Sequence, residues 1–427
     1  MNDIFRVRGG KSLSGTVSVS GSKNAALPIL AATVAVSGIS TVKNLPNISD
    51  VHKFCDMICS LGGTVTTEGQ TTTINTTDIH LPSPPLFQHV GVGKMRASIL
   101  LLSALLTRFG EIQMAFPGGC VLGKRSAEAH FRAFTALGAE IVSVSDYIHL
   151  RLPQKKFIAS TVVLPEISVT ATENALIAAA CTEGITHIRL AAAEPHVQNL
   201  CEALISAGAE IDGIGSHFLT VRGNPSPQGL STEITSDYLE AGTFILAGIL
   251  TDSEITVENV VASHLDIFWE KLHEVGAEFV IDEAKKEIRT KKRKRDFTPT
   301  KIQTGVFPQF PTDLHPQFGV LMTQCVGTSS IFETLFERKF AYLLELEKLG
   351  ADVTIANPHQ FLISGGKKLH GAPVASQDIR AGAAVLLATL CAEGESEISN
   401  IHYLDRGYEK LEEKMSALGA DISREVR

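Results

Sequence analysis

The chain has 427 residues, too many for one ordinary hydrophobic core, so two domains of roughly 200 residues each are expected. With 44% hydrophobic residues, 20% charged residues and a net charge of −8, the composition is that of a globular protein, and its acidic balance argues against general binding to nucleic acid or an anionic membrane. Cys55, Cys59, Cys120, Cys181, Cys201, Cys325 and Cys391 are odd in number, scattered and contain no CxxC pair, which argues against a disulfide framework and a zinc site.

The N-terminal stretch MNDIFRVRGG lacks an apolar signal core, and no later apolar run is long enough to span a bilayer, so a cytoplasmic location is expected. The first helix signal is NAALPILAATVAVSG from Asn24, followed by the alternating strand GISTVKNL and an amphipathic helix that closes on SLGGTV from Ser60. That order then repeats. RASILLLSALLTRFG, GEIQMAF and a helix closing on ALGAEI (from Ala136) come next, followed by ENALIAAACTEG, GITHIRL and SAGAEI (from Ser206). In the second half the sets are EAGTFILAGIL, SEITVENV and EVGAEF (from Glu274); HPQFGVLMTQCVG, GTSSIFETL and KLGADV (from Lys348); and IRAGAAVLLATLCAEG, GESEISNI and ALGADI (from Ala417). The closing phrases recur about every 70 residues, so six copies of one unit fill the chain.

Each unit has two kinds of helix. The first, rich in small residues and apolar all round, must be buried on every side; the second has one polar face and covers the outside. Glycine in the closing phrase ends that outer helix and a β-rich run follows. The units carry different loops and no obvious polar caps, which favours two globular α/β domains of three units each over an open solenoid. The boundary is expected near Gly229 to Asp237, beside the loop NPSPQG. The basic run KKEIRTKKRKRDFTPTK reads as a solvated hairpin or loop.

Identical positions in a repeat scaffold serve packing, so polar departures at unit starts are the functional candidates. They are Lys23 and Asn24 in SGSKNAALP, Lys94 and Arg96 in GKMRAS, Cys120, Lys124 and Arg125 in PGGCVLGKRS, Asp313 in FPTDLHPQF, Arg380 in QDIRAG and Arg406 in YLDRGYE. Lys23 and Arg96 stand at the N-terminal side of buried helices, where a cation opposes the macrodipole and needs a compensating anion. If the cations of the two halves share a cleft, they would clamp a multiply charged anion such as phosphate. Asp313 fits either a helix N-cap or a general base. Glu194 in AAAEPHV is a second carboxylate candidate, and a plain turn residue is the alternative for it.

With SGSKNAALPIL, KMRAS, PGGC, FPTD and LDRGYE in this order, the chain resembles the enolpyruvyl transferases over essentially its whole length. The resemblance implies two inside-out α/β barrel domains, helices inside and strands outside, spanning residues 22–234 and 1–21 plus 235–427. It implies addition and elimination between phosphoenolpyruvate and the 3-hydroxyl of UDP-N-acetylglucosamine, the first committed step of peptidoglycan precursor synthesis, without metal or organic cofactor; a monomer is a separate expectation. Carried over by residue, Lys23, Arg125 and Arg406 would hold the phosphate and carboxylate of phosphoenolpyruvate, and Asn24 would contact the acceptor. Asp313 would take the hydroxyl proton, and Cys120 would act as acid or covalent partner on a lid. Arg96, the segment from Arg125 through Glu128 to Ala129, Ser168, Val169 and Leu335 would line the UDP-sugar site, with Glu194, Lys339 and Arg380 as further substrate contacts. The sequence departs from the family pattern at Ser126 to Ala129, at Glu166 and Thr170, and at Lys339, which follows Arg338 where an arginine is usual. A relative acting on another nucleotide or sugar, or a non-catalytic UDP-sugar binder, remains an alternative.

Overall fold

The computed structural model describes residues 3–81, 86–89, 91–118, 127–144 and 147–426. It divides into two compact units, one formed by Gly21–Thr235 and the other by Met1–Ser20 with Ser236–Arg427.

In the first unit the helices are α1 (Lys23–Ala35), α2 (Ser49–Ser60), α3 (Leu101–Phe109), α4 (Glu128–Ala136), α5 (Val169–Ala180) and α6 (Pro195–Ser206). Helices α1, α3 and α5 pack on one another, and every residue of α1 except Asn24 is buried. The helices α2, α4 and α6 bury only one face, as their amphipathic patterns require.

The strands explain why three units suffice. Strand Ile39–Lys43, which follows α1, pairs antiparallel with Thr71–Asn75, and that strand pairs with Thr64–Glu68. The chain then enters the next unit through Leu86–Phe87, parallel to Glu111–Ala115, and the third through Thr161–Val163, parallel to Gly184–Arg189. The linking strand after the third unit, Ser231–Glu233, pairs in parallel with Ile39–Lys43 of the first. The three units therefore form a closed cycle, and rotational repetition of one topology puts the N-termini of α1, α3 and α5 at the same end.

The second unit repeats this with α7 (Tyr238–Leu250), α8 (Asp266–Val275), α9 (His315–Thr323), α10 (Ala341–Lys348), α11 (Ile379–Cys391) and α12 (Leu411–Ala417). Here the N-terminal segment completes the cycle. Ile4–Arg8 lies antiparallel between Glu395–Ser399 and Asp421–Glu425, and Ser14–Ser18 runs parallel to Glu254–Glu258. The strands form one sheet per repeat, six in all among the described residues, so helices are inside and strands outside without a continuous barrel wall.

The closing phrases owe their glycine to backbone geometry. Gly62, Gly138, Gly208, Gly276, Gly350 and Gly419 all have φ between 85° and 97°, a region that L-residues with a Cβ avoid. At that position the chain leaves the outer helix, and the next amide still bonds back into it, as Ala139 N does to Phe134 O at 2.9 Å. The basic run forms a hairpin strand over Glu287–Thr290, followed by solvated chain in which Lys294 pairs with Glu278 at 2.9 Å.

Candidate functional site

Asp313 is set by the short strand Phe310–Pro311, an extra edge on the sheet of the fifth repeat that pairs in parallel with Lys301–Gly305. Phe310 is buried beneath it, and Leu314 N bonds to Pro311 O at 2.9 Å, so the turn carrying Thr312 and Asp313 is fixed from both sides. Asp313 does not cap α9; the N-cap position is Leu314. Its carboxylate instead accepts hydrogen bonds from Lys339 Nζ at 2.8 Å and from Arg380 Nε at 3.2 Å. Burial acts to raise its pKa, but Lys339 and Arg380 outweigh burial and hold it well below the usual carboxylate range.

Lys339 is 5% exposed, and its ammonium also donates to the Thr312 carbonyl at 2.9 Å and the Thr312 hydroxyl at 3.0 Å. Arg338, the neighbouring cation, is exposed on a left-handed residue whose amide bonds to Pro358 O. Of these two neighbours, Lys339 is the one that faces Asp313. Arg380 lies in the first turn of α11, whose N-terminus is capped by the Asp378 carboxylate. Its guanidinium sits 5.5 Å over the ring of Tyr408, and its Nη1 is buried with no hydrogen-bond partner among the described residues. A buried charged donor left open beside a carboxylate is suited to an incoming anion.

In the other unit Lys23 is the first residue of α1 and is buried, with Nζ 2.8 Å from Oδ2 of Asp50. Asp50, 1% exposed in the first turn of α2, is the counter-charge that a cation at a helix N-terminus demands. The N-termini of α1 and α5, and the 3-10 turn Arg96–Leu100 leading into α3, have no side-chain cap and no acidic residue in the first turn. By contrast, α7 is capped by Asp237 and α11 by Asp378. Open helix N-termini beside Lys23 and Arg96 favour anions. Asn24 is the one partly exposed residue of α1, and Pro28 removes the amide that would otherwise bond the Asn24 carbonyl.

Arg96 is half-buried near His130 of α4. Burial, with Arg96 adding to it, lowers His130 to about 3, so the imidazole is neutral. Asn174 Nδ2 donates to His130 Nδ1 at 2.8 Å and to Ile99 O at 3.2 Å, leaving Nε2 to donate to Thr170 Oγ1 at 3.1 Å. This neutral histidine joins α4, α5 and the Arg96 turn. One residue away, Glu173 is 2% exposed, and burial together with the charge of Glu194 pushes its carboxyl well above the usual range. The folded chain therefore keeps a proton that the unfolded chain releases above its ordinary value, and stability declines as pH rises from there toward the folded value. Glu173→Gln removes that decline. Thermal unfolding should show the variant a few degrees more stable than wild type at pH 8 and no more stable at pH 4; equal stability at both pH values would contradict the assignment.

Glu194 is the N-cap residue of α6 and is partly buried, Ser168 and Val169 begin α5 half-buried, and Glu128 begins α4 exposed with Arg132 at 3.1 Å. Leu335 is 40% exposed, with its amide on Glu333 Oε1 at 2.8 Å. Arg406 ends the 3-10 turn Ile401–Arg406, which packs on α11. Cys120, Lys124, Arg125 and Ser126 lie outside the described residues. The structure brings Asp313, Lys339 and Arg380 into direct contact, and it adds residues that sequence reasoning missed: Asp50, His130, Glu173, Thr312 and Glu333. Their signal was weak because each sits among ordinary polar residues, although Thr312 stands beside Asp313 in the quoted FPTD. Among the described residues no group of three or more His, Cys, Asp or Glu is placed to hold a metal ion.

The chain is thus an α/β protein of two cyclic three-repeat units, one with two cations on the Asp313 carboxylate and the other with uncapped helix N-termini. A family model described as EPSP synthase (3-phosphoshikimate 1-carboxyvinyltransferase) matches residues 7–415. The chain is 42% identical over 422 residues to the UDP-N-acetylglucosamine 1-carboxyvinyltransferase of Sulfurovum sp., covering 98% of each chain. It is 40% identical to the protein of the same name from Desulfosudis oleivorans, with 99% of each covered. Among solved structures, the enolpyruvyl transferase NikO from Streptomyces tendae shares the fold with a TM-score of 0.87 at 22% identity, over 99% of each chain. The chain belongs to the EPSP synthase family of enolpyruvyl transferases.

Proposed function

We propose that this chain transfers the enolpyruvyl group of phosphoenolpyruvate to the 3-hydroxyl of UDP-N-acetylglucosamine, with release of phosphate, in the cytoplasm and as a monomer, at the entry to peptidoglycan precursor synthesis. Identity of about 40% along the whole chain to relatives of that name is the observation that carries the reading. No helix of the described residues is long and apolar enough to cross a membrane, which accords with it.

In the addition step the sugar oxygen bonds to C2 of phosphoenolpyruvate, its proton leaves to a base, and C3 gains a proton. In the elimination step C3 loses a proton and the C2–O bond to phosphate breaks, leaving the enol ether and inorganic phosphate. Asp313 is the base, because it is the carboxylate placed among Lys339 and Arg380. Lys339, Arg380, Lys23, Arg125 and Arg406 neutralise the carboxylate and phosphate. Cys120 supplies the acid or covalent partner, and Asn24, Arg96, Glu128, Ser168, Val169, Glu194 and Leu335 contact the UDP-sugar. Proton traffic and electrostatic stabilisation of this kind use side chains alone.

The test is phosphate release from phosphoenolpyruvate with UDP-N-acetylglucosamine, UMP or shikimate-3-phosphate as acceptor. Turnover is expected with UDP-N-acetylglucosamine at least about 100-fold above the others in kcat/KM. Release only with another acceptor would reassign the substrate, and tight UDP-N-acetylglucosamine binding without any turnover would make the chain a binding relative.

A further inference from the structure

We infer that Glu333, acting through Thr312, is a positioning residue that sets the ammonium of Lys339 against Asp313. This rests on the reading of Lys339 and Asp313 as reaction-facing groups. Glu333 is fully buried at the end of the fifth repeat's central strand, Thr328–Phe332. One oxygen, Oε1, accepts the amides of Leu335 at 2.8 Å and Phe336 at 3.1 Å. The other, Oε2, accepts the Thr312 hydroxyl at 2.7 Å, with His315 Nε2 at 3.2 Å but off the hydrogen-bonding direction. Burial favours the protonated form of Glu333, but His315, Lys339 and Thr312 overcome it and bring the carboxyl down to about 2, so it is a carboxylate.

The charge fixes the polarity of the chain of bonds. A carboxylate only accepts, so the Thr312 hydroxyl must donate to Glu333 and offer its lone pairs to Lys339. Lys339 Nζ then meets three acceptors, the Thr312 carbonyl and hydroxyl and Asp313 Oδ1. Glu333 also holds the loop that leads to Lys339, and Thr334 ties that loop to Lys301–Gly305 through both its amide and its hydroxyl. A lysine has a flexible four-carbon stem and no preferred fork, so a point cation at this site needs its direction imposed from outside. The relay from Glu333 through Thr312 imposes it.

Glu333→Gln tests the relay without emptying the space. Its carbonyl still accepts the Leu335 and Phe336 amides, but its NH2 faces Thr312 as a donor and reverses the first bond. Thr312→Val cuts the same relay at the next link, and Thr312→Ser keeps the hydroxyl. The probe is competitive acylation of lysines in the intact protein, read by peptide mass spectrometry, with Lys301 as the exposed reference. Lys339 is expected to label about tenfold faster in E333Q and T312V, with Lys301 unchanged and T312S like wild type. Steady-state kinetics should show kcat/KM for phosphoenolpyruvate down about tenfold or more in E333Q and T312V, with KM for UDP-N-acetylglucosamine within about twofold and T312S restored. Wild-type labelling of Lys339 in E333Q, an equal rise at Lys301, or failure of T312S to rescue would each overturn the inference. If the wild-type protein turns over no phosphoenolpyruvate, the functional reading fails, and the labelling arm still decides the relay.

Discussion

Asp313→Asn is expected to lower kcat for enolpyruvyl transfer by about 10³-fold, the effect of losing a positioned base, while UDP-N-acetylglucosamine still binds. The resting geometry adds a second expectation. With Lys339 and Arg380 on its two oxygens, Asp313 is held well below the usual carboxylate range and is a weak base as it stands. An anionic substrate that draws those two cations to itself removes the cause of the depression, so Asp313 gains proton affinity when phosphoenolpyruvate is bound. The acid limb of kcat, which reports the substrate complex, should therefore lie at higher pH than the acid limb of kcat/KM, which reports the free protein. Coincident limbs in wild-type pH–rate profiles would remove Asp313 from the role of base.

The same pair of contacts has a stability signature of known sign. A carboxylate whose folded pKa is depressed contributes stability above its unfolded value near 4, and that contribution disappears as pH falls toward the folded value. Asp313 is 34% exposed and water screens its pairs, so the loss in Asp313→Asn should be about 1 to 2 kcal/mol at pH 7. The difference between variant and wild type in urea unfolding should begin to narrow below about pH 4 and keep narrowing as pH falls further. The groups facing Asp313 are Lys339 and Arg380 directly, with Glu333 and His315 behind Thr312. Burial lowers the His315 pKa, outweighing Glu333, which acts to raise it.

The repeat was legible because packing writes it into local pattern. A helix such as Tyr238–Leu250, buried at every position, can tolerate no polar stripe, and a left-handed glycine such as Gly276 is needed where the outer helix stops. The cycle of three was less visible. It closes through strands as short as Ser231–Glu233 and Thr161–Val163, too brief to show a period of two, and through Ile4–Arg8, whose partners lie near the other end of the chain.

The candidate site was legible only for residues that break the repeat in a conspicuous way. Lys23 opposes a helix dipole and Asp313 sits in a Pro-bearing turn, so both drew attention. Asp50 and Glu333 did not, because an acid in the first turn of an amphipathic helix or after a strand normally faces water. Their burial follows from tertiary placement alone: Glu333 meets Thr312 across 21 residues, and Arg380 meets Asp313 across 67. The N-cap reading of Asp313 failed for the same reason. Two cations supplied by later segments outbid the backbone amides of α9 for its oxygens.

Lys23→Met should reduce kcat/KM for phosphoenolpyruvate by about 10² to 10³-fold, the effect of losing one preorganised charged donor. It should also destabilise the fold, because the Asp50 carboxylate, 1% exposed, loses the ammonium that lies 2.8 Å away while Lys53 stays at 3.6 Å, a loss of about 3 kcal/mol. The two effects are separable. Replacing both partners by apolar groups of similar size, as in Lys23→Met with Asp50→Leu, removes the buried carboxylate together with its lost cation, and urea unfolding should recover most of the lost stability. Turnover should stay low, since the dipole end of α1 then offers amides but no cation to the substrate anion. If the double variant regains turnover along with stability, Lys23 serves the fold alone. If Lys23→Met loses activity while Asp50→Leu on its own keeps it, the ion pair is a structural device and the cation is the functional half. The expected result lies between these. Asp50 fixes the Lys23 side chain against α2, so its removal should raise KM for phosphoenolpyruvate several-fold with a smaller change in kcat, the pattern of a binding group that has lost its orientation.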